Sequence, residues 1–342
     1  MEADQARAVS GAPLAEGEIA QFAATFAAAE AEVGRVLIGQ NDAVRAVLVA
    51  LFAGGHALLE GPPGIGKTLL ARSLAKVLGV AFKRIQFTPD LMPSDVTGGN
   101  VFSQAEDDFV FRPGPLFTQI LLADEINRAP AKTQAALLEA MSDRQVTIDG
   151  LTRMLPDPFY TIATQNPVES EGTYPLPEAQ LDRFLLKVVL DHPPKQVEVA
   201  LLEHYLAGFD PSELDAVGLR TVVDAEGIAA MRRVARRVRV DAGLLDYIAT
   251  LVARTRQDPA VELGASPRAS VALLLCSQVV AAAEGRSYVV PDDVKELAAP
   301  VLRHRFILQP DAELEGAKPD DVVKRILADV PVPGGEQAQP AA

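Results

Sequence analysis

Gly61-Pro62-Pro63-Gly64-Ile65-Gly66-Lys67-Thr68 follows directly on the short apolar run His56–Glu60 and opens a stretch of helical periodicity over residues 68–78. This is the G-x-x-x-x-G-K-[ST] spacing between a strand and a helix, where glycines let backbone N–H groups turn inward around phosphate oxygens. The dipole of the following helix, which runs on through Leu69, adds to that field. Lys67 is expected to reach the β- and γ-phosphates, and the Thr68 hydroxyl to ligate Mg²⁺. The stretch predicts a nucleoside triphosphate site at the edge of a parallel α/β sheet.

Other strand candidates surround it: Phe82–Phe87, Ile120–Asp124, Phe159–Asn166 and Phe184–Leu190. Most are short continuous apolar runs separated by helical segments, the pattern of strands buried on both faces of a parallel sheet. Helices over 68–78 and 132–142 have the lengths that parallel crossovers need. The run Ile120–Asp124 ends in two carboxylates, Asp124 and Glu125. Their chemistry is complementary: Asp124 would help hold the hydrated Mg²⁺, while Glu125 would orient and polarise the water attacking the γ-phosphate. Asn166 closes another strand with an amide.

Two polar interruptions read as hairpins. In the first, 100–102 and 109–111 flank Ser103–Asp108, which carries Glu106, Asp107 and Asp108; in the second, Asp149-Gly150 joins Gln145–Ile148 to Leu151–Met154. An N-terminal helix is expected over 18–34, with Asn41 capping the next. Residues 195–309 read as nearly all helical. Ser266-Pro267 opens one of these helices and Pro291-Asp292-Asp293 another. The last dozen residues, rich in Pro, Gly, Gln and Ala, are expected to be disordered.

With 342 residues the chain is long enough for two or three domains. Its net charge of −14 opposes binding to a phosphate backbone unless basic residues are segregated. The densest basic cluster is Arg232, Arg233, Arg236, Arg237 and Arg239, on the polar faces of a helix; a solvated or subunit-facing surface is the preferred reading. Cys276 sits in an apolar run and reads as a small buried hydrophobe. The four histidines show no zinc spacing. The start, Met1-Glu2-Ala3-Asp4, lacks a signal-peptide pattern, and no apolar run reaches membrane-span length, so a cytoplasmic location is expected.

The motifs GPPGIGKT (61–68), LLADEINRAP (121–130), ATQNP (163–167), YPLPEAQLDRF (174–184) and GASPRAS (264–270), in this order, resemble the AAA+ ATPases and within them the MoxR family. The resemblance covers about residues 35–310. It implies a five-stranded parallel P-loop core between helices, with two hairpin insertions, followed by an all-helical lid. It implies a nucleotide-binding core (35–192) and a lid (193–310); an expected N-terminal helical extension (1–34) and acidic, partly disordered tail (311–342) lie outside the match. It implies hydrolysis of ATP with Mg²⁺ in a ring, most simply a homo-hexamer, acting as a remodelling chaperone. Its implied partners contain von Willebrand factor A domains, and its implied role is maturation of other proteins or metal insertion into them.

By the same resemblance Asn166 is the first sensor, Arg183 the arginine finger that enters the neighbouring subunit's site, and Arg268 the second sensor from the lid. Ile38-Gly39-Gln40 resembles the segment that packs on adenine. Arg128 stays open between an inter-subunit contact and a local ion pair. The hairpins stay open between client contact and inert surface. A magnesium-chelatase-like motor subunit and a DNA-acting motor remain alternatives, the second disfavoured by the acidic charge.

Overall fold

The computed structural model describes residues 14–105, 107–166 and 174–333. The first residues of the chain, hairpin residue Glu106, Pro167 and the end of the tail lie outside them. The chain divides into two compact units: Ala27–Ala229, and the described residues through Phe26 together with those from Ala230 onward.

Helix α1 (Glu16–Gly34) leads into α2 (Asn41–Ala53), strand β1 (Ala57–Glu60), α3 (Lys67–Val77), β2 (Phe82–Gln86) and α4 (Pro93–Thr97). A hairpin of β3 (Gly98–Ser103) and β4 (Asp108–Pro113) precedes β5 (Ile120–Asp124) and α5 (Ala131–Asp143). A second hairpin, β6 (Gln145–Ile148) and β7 (Leu151–Met154), precedes β8 (Tyr160–Gln165), α6 (Glu178–Leu181), β9 (Leu186–Val189) and α7 (Lys195–Leu206).

Five of these strands form one parallel sheet in the order β2-β5-β8-β1-β9. Its register pairs Glu60 with Gln165 and Gln86 with Asp124, so the C-terminal ends of β1, β2, β5 and β8 finish along one edge. In open α/β sheets that edge is where ligands bind. The apolar runs of β5 and β8 are buried on both faces, as expected for central strands. Strand β2 is an edge strand, and its Lys83 and Arg84 are exposed. Leu137, Leu138 and Met141 of α5 pack with Leu121, Ala123, Ala163 and Phe184. Truncating any one such leucine to alanine costs about 2–5 kcal/mol.

Both hairpins form where expected. Asp149 (φ 50°) and Gly150 (φ 78°) make the left-handed turn that an Asp-Gly pair favours. The hairpins also touch each other. Asn100 Nδ2 donates to Asp149 Oδ2 at 2.7 Å, and the Arg153 guanidinium lies 3.9 Å over the Phe111 ring. Asn41 does not cap α2. It is the first helical residue, and Gln40 holds the cap position without a side-chain bond to the helix.

The second unit is built mainly from α9 (Ala242–Thr255), α10 (Pro267–Ala283), α11 (Pro291–Leu302), α12 (Pro310–Leu314) and α13 (Pro319–Asp329), which follow α8 (Ala225–Ala235). It holds one feature the helical reading missed, an antiparallel pair of β10 (Val261–Leu263) and β11 (Ile307–Leu308). Ser266 caps α10 by accepting from the Arg268 N–H at 3.2 Å, with Pro267 at the first helical position. Asp293 accepts from the Val290 N–H at 2.8 Å at the start of α11. Cys276 is buried, which pushes its thiol up to about 12 and leaves it chemically inert. In the basic cluster, Arg237 pairs with Glu18 at 2.8 Å and Arg239 with Asp241 at 3.4 Å. Among the described residues, no helix is long and apolar enough to cross a membrane.

Candidate functional site

The loop from Gly61 to Gly66 joins β1 to α3 at the ligand-binding edge of the sheet. Two of its glycines are dictated by geometry. Gly66 has φ 93°, a left-handed conformation that side-chain-bearing residues avoid. A Cβ on Gly61 would stand 2.5 Å from the Leu190 carbonyl oxygen, so only glycine lets the loop leave the sheet here. No side chain caps α3. Its first N–H groups are therefore donors left for an anion.

A cleft of about 450 Å³ opens over this loop. Lys67, Thr68, Asp124, Glu125 and Asn166 all line it, although they come from three separate segments. Pro63, Gly64 and Leu69 complete the loop side, and Arg84 and Tyr205 also face the cleft. Lys67 Nζ donates to the Gly61 carbonyl at 2.6 Å and approaches that of Gln165 at 3.4 Å. Burial pushes the Lys67 ammonium below the usual lysine range, while Asp124, Glu125 and Glu60 pull it back up. Its hydrogen-bond partners here are neutral carbonyls, so an anionic ligand in the cleft would add a direct countercharge to that of the nearby carboxylates.

Both oxygens of Asp124 are engaged. Oδ1 accepts from the Thr164 hydroxyl at 2.5 Å, and Oδ2 accepts from Arg84 Nε and Nη2 at 3.1 and 2.7 Å. Glu125 has φ 56°, a strained conformation for a non-glycine residue that costs about 1–2 kcal/mol. Its N–H donates to Thr164 Oγ1 at 2.8 Å, which ties the strained residue to β8. Its Oε2 accepts from Gln86 Nε2 at 2.7 Å and pairs with Arg128 Nε at 3.1 Å. Arg128 is thus engaged in a local ion pair, one of the two readings its sequence left open. Asn166 is buried at the end of β8.

Arg84, Gln86 and Thr164 went unread in the sequence. Arg84 and Gln86 are two apart on one strand and share a face. That periodicity was the available signal, but nothing local tells which strand stands opposite.

Ile38, Gly39 and Gln40 lie beside the loop. Gln40 Nε2 donates to the Ile65 carbonyl, and a Cβ on Gly39 would collide with Val197 of α7. Pro62 belongs to the loop but is not among the residues facing the cleft. Arg183 does not face it either. Its guanidinium is anchored on the end of α5, donating to the Leu138 carbonyl at 2.8 Å and to the Ser142 hydroxyl. Arg268 stands in the first turn of α10, in the other compact unit.

Comparison with known proteins agrees with this geometry. Residues 56–186 match the ATPase family associated with various cellular activities (AAA), and residues 253–326 match the AAA lid domain. YeaC of Bacillus subtilis is 47% identical over 88% of this chain and 92% of its own. Chaperone MoxR1 of Mycobacterium tuberculosis is 42% identical over 88% of this chain and 81% of its own. A crystal structure from Cytophaga hutchinsonii, provisionally described as an ATPase, superposes with a TM-score of 0.85 at 38% identity, covering 93% of this chain and 97% of that one. This chain belongs to the MoxR family of AAA+ ATPases.

Proposed function

We propose that the cleft binds ATP with Mg²⁺ and that its hydrolysis drives a ring-shaped remodelling chaperone. Hydrolysis of ATP is the activity of the family, and the chain's own residues supply the parts for it. The observation that carries the reading is the convergence of Lys67, Thr68, Asp124, Glu125 and Asn166 on one cleft.

The uncapped start of α3 and the Lys67 ammonium would hold the phosphates. The Thr68 hydroxyl and Asp124 would hold the metal, whose chemistry is to neutralise charge on the phosphate oxygens. The oxygen donors fit a hard cation of this kind. Glu125 would take up the proton of the attacking water, and the Asn166 amide would fix that water or the terminal phosphate. Gln40 and its neighbours Ile38 and Gly39 would border the base.

Arg183 would act in trans. It is anchored at the end of α5 rather than in its own chain's cleft, as a residue serving a neighbouring copy would be. Arg268 would report the nucleotide from the lid. The proposed division of labour is a core over 35–192, a lid over 193–310, a helical extension over 1–34 and a tail over 311–342. The assembly is proposed as a homo-hexamer in the cytoplasm, with von Willebrand factor A domain proteins as partners and a role in maturation or metal insertion. The relative named Chaperone MoxR1 supports the chaperone reading.

Capture tests this reading. The Glu125→Gln protein held in Mg–ATP should retain client and A-domain partners that mass spectrometry identifies, and Lys67→Ala should retain none. Equal capture by both variants would contradict a nucleotide-driven chaperone.

A further inference from the structure

Arg84 lines the cleft and has no part in the account so far. It sits on the exposed edge strand β2, and its guanidinium bridges two acceptors. Nε and Nη2 donate to Asp124 Oδ2, and Nη2 also donates to Gln86 Oε1 at 2.7 Å. The Gln86 amide nitrogen in turn donates to Glu125 at 2.7 Å. One cation therefore ties together the carboxylate that would hold metal and the arm that holds the catalytic carboxylate.

Asp124 is 8% exposed, and a carboxylate so buried needs a countercharge. Arg84 provides it, on the oxygen that Thr164 leaves free. A divalent metal beside Asp124 would be repelled by that guanidinium at short range. The Arg84 side chain is 46% exposed and faces the same cleft as Lys67, so it can turn toward phosphate without unpacking a core. Its planar fork suits phosphate oxygens as well as it suits a carboxylate.

We propose that Arg84 is a triphosphate-sensing cation, which neutralises Asp124 in the absence of nucleotide and transfers to the terminal phosphate when Mg²⁺ and a nucleoside triphosphate enter. The transfer frees Asp124 for the metal and releases Gln86, so metal binding and the position of Glu125 change together. A diphosphate has no γ-phosphate to draw Arg84 away, so Arg84 stays on Asp124 and the metal is held less well. The inference rests on the cleft being the nucleotide site.

The test is titration calorimetry of the full chain with Mg–ADP and with a non-hydrolysable Mg–ATP analogue, for wild type, Arg84→Gln and Arg84→Lys. In Arg84→Gln the analogue should lose about 10–100-fold in affinity relative to ADP, the loss of one charge-assisted contact. The Mg²⁺ concentration that half-saturates ADP binding should fall, because no guanidinium competes with the metal. Arg84→Lys should recover part of the preference for triphosphate. Equal shifts for both nucleotides, or no shift, would overturn the proposal. A lowered Mg²⁺ requirement with an unchanged triphosphate preference would also overturn it, since Arg84 would then be a fixed countercharge. ADP binding by the wild type that is lost in Lys67→Ala keeps the site reading intact in either case, and a wild type that binds neither nucleotide brings down both.

Discussion

Gln86 Nε2 donates to Glu125 Oε2 at 2.7 Å across adjacent strands whose register sets Gln86 beside Asp124. With Arg128 on the same oxygen, the carboxylate assigned to activate water is held from two sides. On the proposed mechanism Gln86 is a positioning residue. Gln86→Ala should lower kcat about tenfold, the scale of a small misplacement of a reacting group, and leave the nucleotide Kd within about twofold. Steady-state kinetics beside equilibrium binding separates the two. A matching rise in Kd would show a structural role instead.

Lys67 is a buried cation whose desolvation is only partly offset by Asp124, Glu125 and Glu60, so an arriving anion gains a strong contact there. Lys67→Ala should weaken ATP binding by about 100-fold or more, the loss of charge-assisted contacts to phosphate. Its thermal midpoint without nucleotide should equal or exceed that of the wild type, because a desolvated charge has been removed. Calorimetry and thermal unfolding on one preparation check both. Unchanged affinity would remove the loop from the mechanism.

Arg183 is anchored on α5 of its own chain. Arg183→Ala should bind ATP like the wild type and lose about 1,000-fold in turnover. Mixing it with Lys67→Ala should restore part of the activity, since each variant supplies what the other lacks. Mixtures as inactive as either parent would contradict action in trans.

Glu32, on α1, tests the electrostatics of an ion cluster. The Arg220 backbone N–H and guanidinium, at 3.2 and 2.7 Å, and Arg35, at 2.9 Å, hold its carboxyl down to about 2. The folded value lies below the ordinary 4.5, so the stabilisation is present above that pH and is lost as pH falls toward about 2. Glu32→Gln should lower the thermal midpoint at pH 7 by about 3–8 °C, from about 1.5–3 kcal/mol of charged hydrogen bonding. The wild-type and variant curves should converge as pH approaches 2. Parallel curves would contradict the assignment.

Much of this was legible locally. The loop at 61–68, the strand ending in Asp124-Glu125 and the Asp149-Gly150 turn each depend on neighbours in sequence, where spacing carries the information. The central strands read correctly because burial on both faces demands continuous apolar residues. Strand β2 reads as a strand without its place in the sheet: its polar residues Lys83 and Arg84 belong to an edge, and strand order is a long-range property. The pair β10 and β11 was missed because two and three residues cannot show a period of two. Arg84, Gln86 and Thr164 gain their roles only from the register of β2, β5 and β8. No local pattern encodes that register.

Release of phosphate from Mg–ATP by Glu125→Gln, measured in a single turnover beside the wild type, is the most direct test. The substitution keeps the side chain's shape and removes its ability to take a proton. ATP should bind with wild-type affinity while phosphate release falls by about 100-fold or more, the upper range for losing a general base. Release at the wild-type rate would mean that the residue held by Gln86 and Arg128 is not the one that activates water.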